Sequence, residues 1–167
     1  ATGLQSLQCN TTASNNSAFG NSALKLNTIG AYNVAVGNNS LAANTASNNT
    51  AVGYNSLTAN TTGVNNTAVG YKSLEANTTG ANNNAVGFAA LKSNTTASDN
   101  NAFGYAALCT NITGASNTAM GHGALNVNTA SNNTAVGALA LLANTTGCEN
   151  VAMGYGAMGS TTSGNRS

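Results

Sequence analysis

The stretch Asn49-Thr50-Ala51-Val52-Gly53-Tyr54-Asn55-Ser56-Leu57-Thr58-Ala59-Asn60-Thr61-Thr62-Gly63-Val64-Asn65 decides the fold, because the chain is made of little else. Its glycine recurs as Gly3, Gly20, Gly37, Gly53, Gly70, Gly87, Gly104, Gly121, Gly137 and Gly154, each closing an Ala-x-Gly triplet. A fixed period of about 17 residues running from end to end is the signature of stacked coils, each burying its apolar side on its neighbours. The period is too short for a helix-pair repeat, which takes about 33 residues. No 3.6-residue apolar rhythm is present either.

Columns emerge when the copies are aligned on that glycine. Two residues before it stands Ala. One before stands an apolar residue, and one after often an aromatic. Leu stands four after in every copy but the last, which has Met158. The residue six after is mostly small, as in Ala43, Ala59, Ala76, Ser93 and Ala143. The segments Asn-Thr-Ala-Val-Gly-Tyr and Ser-Leu-x-Ala-Asn alternate with period two, and each reads as a short strand. The pattern therefore predicts an all-β fold, a parallel β-solenoid. It is read as a thin β-roll of about ten coils of 16–17 residues with two short strands per coil. Residues 1–159 form one solenoid domain and residues 160–167 a C-terminal tail. The recurrent Ala, the Leu and the small residue two places after it are expected to face inward, and the glycine to make a tight turn.

Two columns are asparagine. Four before the glycine lie Asn33, Asn49, Asn66, Asn83, Asn100, Asn117 and Asn133; seven after it lie Asn44, Asn60, Asn77, Asn94, Asn111, Asn128 and Asn144. Stacked amides bond to the copies above and below and satisfy turn backbone groups, so these columns are expected to be structural ladders. The second turn varies in length. Asn44-Thr45-Ala46 and Asn128-Thr129-Ala130 are each one residue short, which marks that turn as a loop.

Composition excludes several classes of function. Charged residues make up 4% and the formal net charge is +1, so no basic patch exists for nucleic acid. The longest apolar run, residues 135–143, is far short of the roughly 20 residues of a membrane span, so no membrane insertion is expected. The first residues lack the basic and apolar regions of a signal peptide, so a secreted form is expected to be a mature chain or an excised piece. The cysteines Cys9, Cys109 and Cys148 fall in different columns and are expected to be free, with no metal-ligand spacing. The lone histidine, His122, stands in the aromatic column. With one His and carboxylates on separate rungs, neither a catalytic dyad nor a cofactor or metal site is expected, and the chain is not read as an enzyme. Glu75 and Lys92 occupy neighbouring rungs and are expected to pair. Sequons at Asn60, Asn77, Asn94, Asn111 and Asn144 belong to the ladder. The turn positions Asn48 and Asn65 suit glycosylation better.

The Ala and the apolar residue after it are consecutive, so in a strand they point to opposite sides. Only one can fill a thin roll. The outer stripe then comprises Val36, Val52, Tyr54, Val69, Tyr71, Val86, Phe88, Phe103, Tyr105, Met120, Val136, Met153 and Tyr155, a patch large enough to mark self-association. The competing geometry is a corner at Ala-x-Gly that turns both columns inward.

The copies Asn49-Thr50-Ala51-Val52-Gly53, Asn66-Thr67-Ala68-Val69-Gly70 and Asn133-Thr134-Ala135-Val136-Gly137 resemble the head repeats of trimeric autotransporter adhesins. They are more similar still to Asn/Thr/Gly repeats of phage tail fibres and bacterial surface proteins. The resemblance covers essentially the whole chain, although the adhesin head repeat is shorter, at about 14 residues. It implies left-handed rolls packed as a homotrimer, and an attachment role at the cell or virion surface. The expected partner is the chain itself, side by side or end to end as a filament. Two other uses of such a surface are an ice-binding Asn/Thr array, as at Asn60-Thr61-Thr62, and a carbohydrate module whose aromatics bind a host-surface glycan.

Overall fold

The computed structural model describes residues 1–165; of the expected tail, Arg166 and Ser167 lie outside the described residues. The chain is an all-β parallel β-solenoid, without helices among the described residues. Its strands are β1 (Ser17–Phe19), β2 (Val34–Val36), β3 (Thr50–Val52), β4 (Thr67–Val69), β5 (Asn84–Val86), β6 (Asn101–Phe103), β7 (Thr118–Met120), β8 (Thr134–Val136) and β9 (Val151–Met153). They form one parallel sheet in chain order, Ala over Ala throughout. Nine strands make about eight turns, not the ten that the glycines suggested. The first glycine copy supplies only an isolated bridge from Thr2 to Phe19.

Each coil carries one strand rather than two. The expected second strand, Ser-Leu-x-Ala-Asn, is a run of tight turns. In the coil from Gly37 to Asn44, the N–H groups of Ser40, Ala42 and Asn44 donate to the carbonyls of Gly37, Asn39 and Leu41 in the same coil. The alternate N–H groups serve neighbouring rungs: Asn39 donates to Asn21, Leu41 to Ser56 and Ala43 to Thr58. That division of labour needs Asn39 and Leu41 in the left-handed region, at φ 55° and 51°. The same alternation holds in other coils, with Leu57 at 49° and Leu91 at 50°.

The left-handed residues also change what faces inward. Period-two reasoning places Leu and the residue two after it in the core. Instead the Leu and the residue before it are fully buried, as in Ser40–Leu41, Ser56–Leu57 and Ala107–Leu108. Ala43, Ala59, Ala76, Ser93 and Ala143 are only half-buried. Opposite lies the strand Ala column, from Ala18 to Ala135 fully buried. A core of Leu against Ala explains how a coil this small closes. Each buried Leu contributes about 1.5–3 kcal/mol, and Ala leaves room for it. The first part of the expected tail continues the stack: Thr145 donates its N–H and Oγ1 to Thr162, and Cys148 its N–H to Asn165 Oδ1 at 2.9 Å.

A third left-handed column lies five residues before the glycine, filled mostly by Asn and Asp, whose short polar side chains tolerate it. Ser116 departs from that preference at φ 58° and is exposed. Ser116→Gly is expected to stabilise the protein by about 0.5–1 kcal/mol, since relief of left-handed strain exceeds the added chain entropy. The check is the urea unfolding midpoint, and a lower midpoint would contradict the assignment of strain.

Candidate interaction face

The two asparagine columns are buried inside the coil and engage different partners. Asn49 Oδ1 accepts from the N–H of Asn66 at 2.9 Å, while its Nδ2 donates to the Gly63 carbonyl at 2.9 Å. One planar amide thus clamps a donor and an acceptor three residues apart on the next rung. Asn66 and Asn83 repeat the arrangement. In the other column the amides bond one another. Asn60 donates to Asn44 at 2.7 Å, Asn77 to Asn60 at 2.8 Å, Asn94 to Asn77 at 2.9 Å and Asn111 to Asn94 at 3.2 Å.

This second ladder is interrupted where the loop loses a residue. Asn44 and Asn128 turn their Nδ2 to the carbonyls of Ala46 and Ala130, two residues on, instead of to a glycine three residues on. The buried oxygens below them, Asn27 Oδ1 and Asn111 Oδ1, accept no hydrogen bond. A third, Asn144 Oδ1, lies where the column itself ends, at Thr161. All three orphaned acceptors therefore close a ladder segment. The continuous column, from Asn16 to Asn150, crosses both interruptions unbroken.

Outside, the strand residues flanking each buried Ala point away from the core, so the Ala-x-Gly corner does not fold both columns inward. Val36, Phe103, Met120 and Met153 are exposed; Val52, Val69, Val86 and Val136 are half-buried. Beyond the glycine, the exposed rings of Tyr54, Tyr71, Phe88, Tyr105 and His122 stack in one column. Their centroids are 5.4, 5.1, 4.9 and 5.2 Å apart and their planes within 17° of parallel. His122 takes the aromatic place expected of it. Tyr155 stands apart on the last rung and is 82% exposed. Offset stacking contributes about 0.5–1.5 kcal/mol per pair. It also turns ring faces toward one another, leaving edges outward, an arrangement ill suited to stacking against a sugar ring.

Few charges border this face. Lys72 pairs with Glu75 on its own rung at 3.2 Å, in place of the expected Glu75–Lys92 pair, because the turn brings residues three apart together. Asn55 Nδ2 donates to the same carboxylate oxygen at 3.4 Å. The hydrogen bond and charge of Glu75 raise the Lys72 pKa above its ordinary value. Burial pushes the Cys109 thiol up. The three cysteines are free. The sequon residues Asn60, Asn77, Asn94, Asn111 and Asn144 are fully buried, whereas Asn48 and Asn65 are exposed. In the loop, Thr61 Oγ1 and Thr78 Oγ1 donate to the next rung's carbonyls at 3.0 and 3.1 Å, so these hydroxyl hydrogens are already committed within the protein.

No pocket opens among the described residues, which leaves the outer surface as the place to look for function. Neither a family model, a curated protein nor a solved structure matches the chain.

Proposed function

We propose that this chain is a structural fibre segment that self-associates side by side through its outer stripe. One observation carries the reading: the Val/Phe/Met column and the aromatic column run alongside each other with only glycine between them, and neither contains a charge. The aromatic and methionine residues there are 40–82% exposed, and the valines less. At about 200 Å² per large side chain, the stripe exposes on the order of 1,000 Å² of apolar surface. That exceeds the roughly 300–600 Å² of the largest patch on a typical monomer. It is comparable with the roughly 800 Å² that each partner contributes to a stable interface.

The sequence resemblance supports placing such a segment in an extracellular or virion-surface fibre used for attachment, and it implies three copies around a common axis. The experiment is molar mass by light scattering at tens of micromolar, on the unchanged chain and on Val69→Glu. Val69 points outward from β4, so the variant is expected to keep its β circular dichroism signal while its mass falls to that of a monomer. A monomeric unchanged chain would remove the proposal.

A further inference from the structure

From the order of residues along the stripe, we infer that two copies pack antiparallel and face to face, with a twofold axis through β5. The inference rests on the self-association just proposed, but replaces the threefold arrangement that the resemblance implies. Two features are symmetric about that strand. The stacked aromatic column extends two rungs to either side of Phe88, to Tyr54 and to His122. The two shortened loops fall between β2 and β3 and between β7 and β8, the same number of rungs from β5.

Side-chain size completes the argument. From β2 to β5 the outward residue is always valine, whereas β6 and β7 carry Phe103 and Met120. In a parallel, in-register assembly Phe103 meets Phe103 and Met120 meets Met120. The contact is then wide at Phe103 and Met120, and a gap opens along the valine rungs β2 to β5. Antiparallel packing sets Phe103 against the partner's Val69 and Met120 against the partner's Val52. Across these central rungs bulk meets recess, which is what dense packing requires; at the ends Phe19 of β1 meets the partner's Met153. The same operation puts Phe88 beside its own copy and Tyr71 beside the partner's Tyr105. It also brings the two short coils to matching heights, so the rungs of both molecules stay in step. A twofold interface of this kind is self-complementary and closes at two copies.

The test uses a background in which Cys9, Cys109 and Cys148 are replaced by Ser, and two single variants, Val52→Cys and Met120→Cys. Each is treated with a short bismaleimide, alone and as an equimolar mixture, after circular dichroism has confirmed the β signal. The expected result is a covalent heterodimer in the mixture, at least tenfold more abundant than the homodimer from either variant alone. Efficient self-linking of Val52→Cys would establish in-register packing and overturn the inference while leaving self-association intact. An associated mass with no link in the mixture would do the same. A monomeric mass throughout would remove both.

Discussion

Gly87→Ala is expected to lower stability by at least about 4 kcal/mol, while Gly154→Ala costs only about 1–3 kcal/mol. Both glycines have positive φ, 134° and 121°, a conformation strained for any residue with a side chain. They differ in what lies across the seam. A Cβ on Gly87 would sit 2.4 Å from the carbonyl oxygen of Gly104 and 2.7 Å from its carbon, whereas one on Gly154 meets nothing within 4 Å. The obstructing atoms are backbone, and they cannot give way separately. The bonds from Gly104 N–H to Val86 and from Ala106 N–H to Phe88, both 2.8 Å, hold the rungs together on either side of the contact. Admitting a methyl group therefore means parting the rungs and losing those bonds. The pair of variants separates the two effects, since Gly154→Ala carries only the strain. Urea unfolding followed by circular dichroism measures both, and equal destabilisation would show that the close approach of rungs does not explain the glycine column.

That column was the most legible feature of the sequence, and the reason is physical. A requirement imposed by the neighbouring rung recurs at every rung, so it is written ten times over. The same holds for the buried Ala, the buried Leu and the Asn columns, all of which the repeat placed correctly. What period-two reasoning missed is the turn from Gly37 to Asn44 and its equivalents. Leu is a poor indicator of left-handed backbone, so Leu41 reads as a strand residue. A weaker signal lay two positions earlier, where Ser22, Asn39, Asn55, Gly123 and Gly156 make up half of one column, beside Gln5, Lys72, Ala89, Ala106 and Leu139. Ser, Asn and Gly recurring there point to turns rather than a strand. Of the outer face, the exposure of Val36 and Tyr54 was legible because Ala and Val are consecutive. The ring stacking was not, because it depends on rotamers and on the rung spacing.

The amide clamp yields the second large effect. Asn66→Ala is expected to cost about 2–4 kcal/mol, and Thr67→Ala under about 1 kcal/mol. The two residues are adjacent in sequence but differ in what they hold. Asn66 is 1% exposed; its Oδ1 is the acceptor for the N–H of Asn83, and its Nδ2 reaches the carbonyl of Gly80. Truncation leaves the Asn83 N–H buried without an acceptor, which is the larger part of the cost. The Gly80 carbonyl is less affected, since Asn77 Nδ2 also donates to it at 2.9 Å. Thr67 points outward from β4 and loses little. No other residue type replaces the clamp, because only a short amide offers an acceptor and a donor on one rigid plane at this reach. Ser lacks the span, and Asp would aim a second oxygen at the Gly80 carbonyl. Amide hydrogen exchange adds a local reading to the unfolding midpoint. In Asn66→Ala, protection is expected to fall at Asn83 and its neighbours while the rungs around Asn133 keep theirs, because each coil contacts only the next. A loss spread evenly along the chain would mean that the clamp acts through global stability, and that the rungs are not joined one pair at a time.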